Sequence, residues 1–133
     1  MTEPVSILAV TRDAEDWKAL ETIAGNENWL LFWAHNAARA HELIRRYRVQ
    51  IVICDRDLAG EDWREIIGSF SNIYPPVCTL LASEVADEYL WREVVHHKGF
   101  EIVTKPFDAE KVIRTVRFAW NWRGWVRDHP ASA

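Results

Sequence analysis

The sequence predicts an α/β fold in which five parallel strands form one sheet with helices on both faces. Three observations predict it. Short apolar runs rich in Val, Ile and Leu recur five times, and each is followed by a stretch whose apolar residues return every three or four positions. The third run, Val49 to Cys54, has one polar interruption, as a strand buried on both faces does. Strict alternation of strand and helix then requires parallel strands, because each parallel pair needs a crossover and crossovers are right-handed. The expected order is 2-1-3-4-5, with the first and last helices on one face and the other three on the opposite face.

The first strand is Val5 to Val10. Thr11-Arg12-Asp13 follows, and Asp13 can cap a helix with Asp16 at its third position and Trp17, Leu20, Ile23 and Ala24 at helical spacing. Gly25-Asn26 closes that helix. The second strand, Trp29 to Ala34, leads to Asn36 as a cap and to a helix whose Ala40, Leu43, Ile44 and Tyr47 face the sheet. Its other face, Arg39, Glu42, Arg45, Arg46 and Arg48, reads as solvated. The central strand ends at Asp55, in the run Asp55-Arg56-Asp57-Leu58-Ala59-Gly60. Glu61-Asp62 starts a third helix with Trp63, Ile66, Ile67 and Phe70 on one side, ending before Tyr74-Pro75-Pro76. The fourth strand is Val77 to Ala82 with Ser83 at its exit, and the next helix uses Val85, Leu90, Trp91, Val94 and Val95. Gly99 ends it. Phe100 to Thr104 is the fifth strand, Lys105-Pro106-Phe107 follows, and Asp108 caps a last helix through Val112, Ile113, Val116, Ala119 and Trp120.

The 133 residues fit one domain, with a core from about residue 5 to 122 and a short C-terminal tail, and leave no room for a separate output domain. Charged residues are 27%, hydrophobic ones 49%, and the net charge is −4, which excludes a disordered chain and a strongly basic nucleic-acid binder. Neither a membrane span nor a signal peptide is expected, and the protein should be cytoplasmic. Cys54 and Cys78 fall in strands as small buried hydrophobes, about 10 Å apart if those strands are neighbours, too far for a disulfide. Adjacent His96 and His97 point in different directions and read as solvated helix-end residues.

Three polar residues sit at strand exits: Asp55, Ser83 and Lys105. In a parallel sheet these ends share one edge, where crevices open between loops. Such a set supports phosphoryl transfer to a carboxylate, in which the aspartate attacks, a hydroxyl follows the phosphoryl oxygens and a lysine neutralises their charge.

On Asp55, Ser83 and Lys105-Pro106-Phe107 the chain, from about residue 5 to 120, resembles a response-regulator receiver domain of two-component signalling, with its flavodoxin-like fold. The resemblance implies that Asp55 is the phosphoacceptor, Lys105 the phosphate-contacting lysine and Pro106 a residue whose preceding bond is often cis. Ser83 matches the switch hydroxyl when counted back from the lysine (105 − 83 = 22), whereas counting forward from Pro76 places Leu81 there. It also implies a stand-alone, non-enzymatic phosphorelay protein that takes its phosphoryl group from a sensor histidine kinase or phosphotransfer protein. It would signal by contact with a downstream protein. Two departures stand out. The family holds Mg²⁺ on a pair of acids after the first strand, and the matching positions here are Thr11 and Arg12, so a metal site of Asp55, Asp13 and Asp57 should be weak or absent. Ile102 stands where receivers carry a tyrosine or phenylalanine, with Phe100 nearby.

Two rival readings remain. One is a receiver-fold adaptor that is never phosphorylated, with Arg12 paired to Asp55 in a standing salt bridge. The other is a haloacid-dehalogenase-type phosphatase, on the resemblance of Asp55-Arg56-Asp57 to that family's Asp-x-Asp motif, which it carries on its first motif-bearing strand rather than a third. Among the eight tryptophans, Trp17, Trp63, Trp91 and Trp120 read as core. Trp122 and Trp125 fall beyond the last regular turn and, with Phe118, form a candidate contact surface for a homodimer or a docked partner.

Overall fold

The computed structural model describes residues 3–129. Five strands, β1 (Val5–Val10), β2 (Trp29–Ala34), β3 (Ile51–Asp55), β4 (Cys78–Ser83) and β5 (Glu101–Thr104), form one sheet in the order β2-β1-β3-β4-β5, and every pair is parallel. Helices α1 (Ala14–Gly25), α2 (Ala37–Tyr47), α3 (Trp63–Phe70), α4 (Glu88–His96) and α5 (Ala109–Asp128) make the crossovers and close the chain. Each begins at a carboxylate or amide cap, Asp13, Asn36, Asp62, Asp87 or Asp108, whose side chain accepts from a backbone N–H of the first turn.

The two-residue period of the strands sorts the core. Ile7, Ala9, Ile51, Ile53, Leu80 and Val103 point to the face covered by α1 (Leu20, Ile23) and α5 (Val112, Val116, Ala119). Leu8, Val10, Val52 and Cys54 point to the other face, under α2 and α3. Leu81 meets Ile67 of α3 together with Leu90 and Val94 of α4. β3 and β4 are buried along their whole length, as central strands covered on both sides must be.

Three expectations are corrected. α5 continues to Asp128, so Trp122 and Trp125 lie within the helix and not in a tail after residue 122. The nine-residue α4 starts at Glu88 and packs through the narrow Leu90/Val94 stripe, which leaves Trp91 and Val95 on its exposed flanks and Val85 in the preceding loop. Tyr47 is also exposed, although its ring stacks on Phe32.

Gly60 adopts a φ of 80°, the left-handed region that a turn after Asp55 can use without a Cβ clash. Gly99 is required for a different reason, since a Cβ there would lie 2.6 Å from Val94 Cγ1. Cys54 and Cys78 are free and packed on opposite faces of the sheet. No helix among the described residues is long and apolar enough to cross a membrane.

Candidate carboxylate–lysine site at the strand ends

Asp55 is the last residue of β3 and is 7% exposed, so its charge sits in a nearly closed environment that must supply polar partners. Three groups do so. Lys105 Nζ lies 3.1 Å from Oδ1, the backbone N–H of Asp57 donates to the same oxygen at 3.1 Å, and the Thr11 hydroxyl donates to Oδ2 at a longer 3.3 Å. Thr11 is placed by register: Val10 pairs with Cys54, so the next residue of the first chain segment stands beside Asp55. Lys105 follows β5, whose Thr104 pairs with Ser83, and the Lys105 N–H donates to the Ser83 carbonyl at 2.9 Å. The Lys105–Pro106 peptide is cis.

The same ammonium donates to Asp16 Oδ2 at 3.0 Å, so Lys105 bridges two carboxylates. Burial works to lower the Lys105 pKa, but hydrogen bonds to Asp16 and Asp55 outweigh it and hold the value above the usual lysine range. Asp16 moves the other way from a typical ion-paired acid. Burial raises its pKa and the attraction of Lys105 only partly compensates.

Ser83 is fully buried beside the site, and its Oγ accepts from the Val85 N–H at 3.0 Å, leaving its own proton to donate. Ile102 packs into the α3–α4 side of the core. The expected Arg12–Asp55 salt bridge does not form. Arg12 turns away, donating from Nε to the His35 carbonyl at 3.0 Å with Nη2 4.0 Å from Glu61 Oε2. The reason is its place one residue past Thr11, where side chains have changed sides and point toward the β2–α2 connection.

Asp13, Asp55 and Asp57 do not converge as metal ligands. Asp13 Oδ1 is committed to the Glu15 and Asp16 N–H groups as the α1 cap, and Asp57 is exposed and reaches Asp55 only through its backbone. Mg²⁺ wants near-octahedral oxygen and gains little from a site whose two nearest carboxylates already share an ammonium. The residues present therefore do not fit Mg²⁺, and among the described residues no three acidic, His or Cys side chains cluster as a metal site.

Sequence reasoning missed Asp16 and Thr11. A signal for Asp16 was present, because positions 16, 20 and 23 follow the helical i, i+4, i+7 spacing, and an acid on the stripe of Leu20 and Ile23 must face the sheet. A cavity of only about 10 Å³ adjoins Asp55, lined by Thr11, Asp16 and Phe107 among others, room for about one water.

Neither a protein-family model nor a curated protein sequence matches the chain. Solved structures do. The signal receiver domain of an HD domain-containing protein from Pseudomonas fluorescens Pf-5 superposes with a TM-score of 0.85 at 20% identity, covering 96% of this chain and 95% of that one. A response regulator from Thermotoga maritima gives 0.79 at 19% identity, over 89% of this chain and 98% of that one. The chemotaxis response regulator CheY4 of Vibrio cholerae gives 0.79 at 15% identity, over 89% and 99%. At these identities the likeness speaks of architecture. The chain has the flavodoxin-like fold of response-regulator receiver domains.

Proposed function

We propose that the chain is a non-enzymatic signalling module of the receiver type that accepts a phosphoryl group on Asp55 without a metal ion, from a sensor histidine kinase or phosphotransfer protein. The observation that carries this reading is the Lys105 ammonium 3.1 Å from Asp55 at the C-terminal end of the central strand. Asp55 Oδ2, held by Thr11 alone, is the attacking oxygen; it forms the new O–P bond as the bond to the donor's leaving group breaks and the leaving group departs with the electron pair. Lys105 then follows the phosphoryl oxygens, and the Ser83 hydroxyl, whose Oγ accepts from the Val85 N–H, has its own proton to donate to them. One guanidinium or ammonium cannot coordinate several oxygens as a metal does, so transfer is slow. Mass measurement after incubation with a small phosphodonor, on wild type and Asp55→Asn, tests it.

A specific observation favours a second reading, a receiver-fold adaptor that is never phosphorylated. Both Asp55 oxygens already have partners and the adjoining cavity is minimal. The standing cation would be Lys105, not the Arg12 that the sequence suggested. In both readings output is by protein contact. The exposed aromatic row Phe118, Trp122 and Trp125, joined by stacking of Trp122 on Trp125 and of Phe100 on Trp122, is the surface for a second copy of the chain.

A further inference from the structure

At the opposite edge of the sheet from Asp55, the end of α2, the start of β3 and the loop before β4 enclose an open cavity of about 450 Å³, within the size range of small-molecule sites. Three arginines line it, Arg45, Arg48 and Arg123, with no acid among the lining residues, and Ile44, Val49 and Ile73 supply an apolar wall. A protein of net charge −4 does not gather three guanidiniums around one hollow by default. Arg123 is 8% exposed and fixed in place, its Nε donating to the Pro76 carbonyl at 2.9 Å and its guanidinium lying over the Trp120 ring. Arg45 and Arg48 have no carboxylate within ion-pairing distance among the described residues.

The backbone adds an independent observation. Arg48 closes α2 at φ 51° and ψ 52°, the left-handed conformation that glycine adopts freely and that costs another residue about 1 kcal/mol or more. Its side chain borders both this cavity and a neighbouring one of about 480 Å³ that shares Pro75 and Arg123. An arginine in a glycine's position places a charge between two hollows at a cost in stability, a pattern found where a side chain serves a ligand. Tyr74, on the rim, is 83% exposed and offers an aromatic face.

We propose that this cavity binds a nucleoside polyphosphate, with its phosphates on Arg45, Arg48 and Arg123 and its base stacked on Tyr74. Guanidiniums match phosphate oxygens in charge and in two-pronged geometry, and stacking on a tyrosine accepts a purine without demanding an exact fit. The site is separate from Asp55 and needs no metal.

Calorimetric titration with ATP, inorganic tripolyphosphate and adenosine, all in EDTA so that no metal complex contributes, tests the assignment. Saturable ATP binding, weaker binding of tripolyphosphate and none of adenosine are expected. Arg48→Gly should weaken ATP by about tenfold or more, the loss of one charge-assisted contact, while unfolding no earlier than wild type because glycine suits that backbone. Tyr74→Ala should bring ATP down to the level of tripolyphosphate. Absence of saturable binding by ATP, equal binding of ATP and tripolyphosphate to wild type, or an Arg48→Gly affinity equal to wild type would each overturn the proposal.

Discussion

Lys105 Nζ reaches Asp16 Oδ2 at 3.0 Å across 89 residues of sequence, nearly the same distance at which it holds Asp55. Two carboxylates thus share one cation at the strand ends, and folding raises the pKa of both Lys105 and Asp16, so each contributes stability that is lost as pH rises, in a different pH window.

Lys105→Met should remove the cation and leave Asp16 and Asp55 facing each other. Breaking a buried pair costs about 3–5 kcal/mol, and with side chains 11% and 16% exposed a discounted loss of about 1–3 kcal/mol at pH 7 is expected. A lysine pKa raised by folding contributes stability that is complete below the ordinary value of 10.5 and is lost as pH rises through the folded value. The wild type should therefore lose stability at strongly alkaline pH in a way that the variant does not. As pH falls and Asp16, whose pKa burial raises, takes up its proton, the difference between the two proteins should shrink. Urea unfolding across pH checks both arms.

Asp16→Asn should behave differently. A carboxyl pKa raised by burial means that its proton favours the fold: the contribution is present below the ordinary 3.8 and is lost as pH rises through the folded value. Replacing the acid should leave stability unchanged or slightly higher at pH 7, a gain that vanishes at pH 3. A marked loss at neutral pH in the same urea experiment would show that the Lys105 contact outweighs burial.

The fold was legible because its signals are local and agree with one another. The caps at Asp13, Asn36 and Asp108, a β3 without a solvent face and strict βα alternation leave few topologies, and the order 2-1-3-4-5 sets β3, β4 and β5 side by side, so that residues 55, 83 and 105 leave neighbouring strands at one edge. The site was only half legible. Asp55 and Lys105 stand at strand ends that sequence periodicity locates, but the direction of Arg12 depends on which side of the chain it leaves, and one position of phase sends it to His35 and Glu61. Trp91 illustrates the same limit, since the four-residue spacings Leu90–Val94 and Trp91–Val95 look alike in sequence and cannot tell a helix that buries a broad face from one that buries a two-residue stripe.

Mg²⁺ should give no saturable change in tryptophan fluorescence at millimolar concentration. Acids at the two positions after β1 would restore the missing oxygen ligands, so Thr11→Asp combined with Arg12→Asp should acquire binding. Saturation in the wild type, abolished by Asp55→Asn, would show that the existing donors suffice.

Both thiols should be inert in the folded protein. Burial pushes Cys54 and Cys78 up to about 12, so the reactive thiolate is scarce at pH 8 and access is closed. Iodoacetamide should modify neither until denaturant is added; rapid labelling of either under native conditions would contradict their packing.

The exposed row Phe118, Trp122 and Trp125 should drive self-association. Sedimentation velocity over a concentration series should show a dimer that Trp122→Ala weakens, and a monomer at high concentration in both would assign that surface no role between copies.

Phosphorylation of Asp55 is the most direct test of the functional reading. Intact mass should be recorded after incubation with phosphoramidate in EDTA and in Mg²⁺. The expected result is slow addition of one phosphoryl group at a rate that Mg²⁺ barely changes, absent in Asp55→Asn. Strong acceleration by Mg²⁺ would contradict the metal-free site, and no addition under either condition would contradict the phosphoacceptor role of Asp55 and leave the standing Asp16–Lys105–Asp55 bridge as a fixed structural feature.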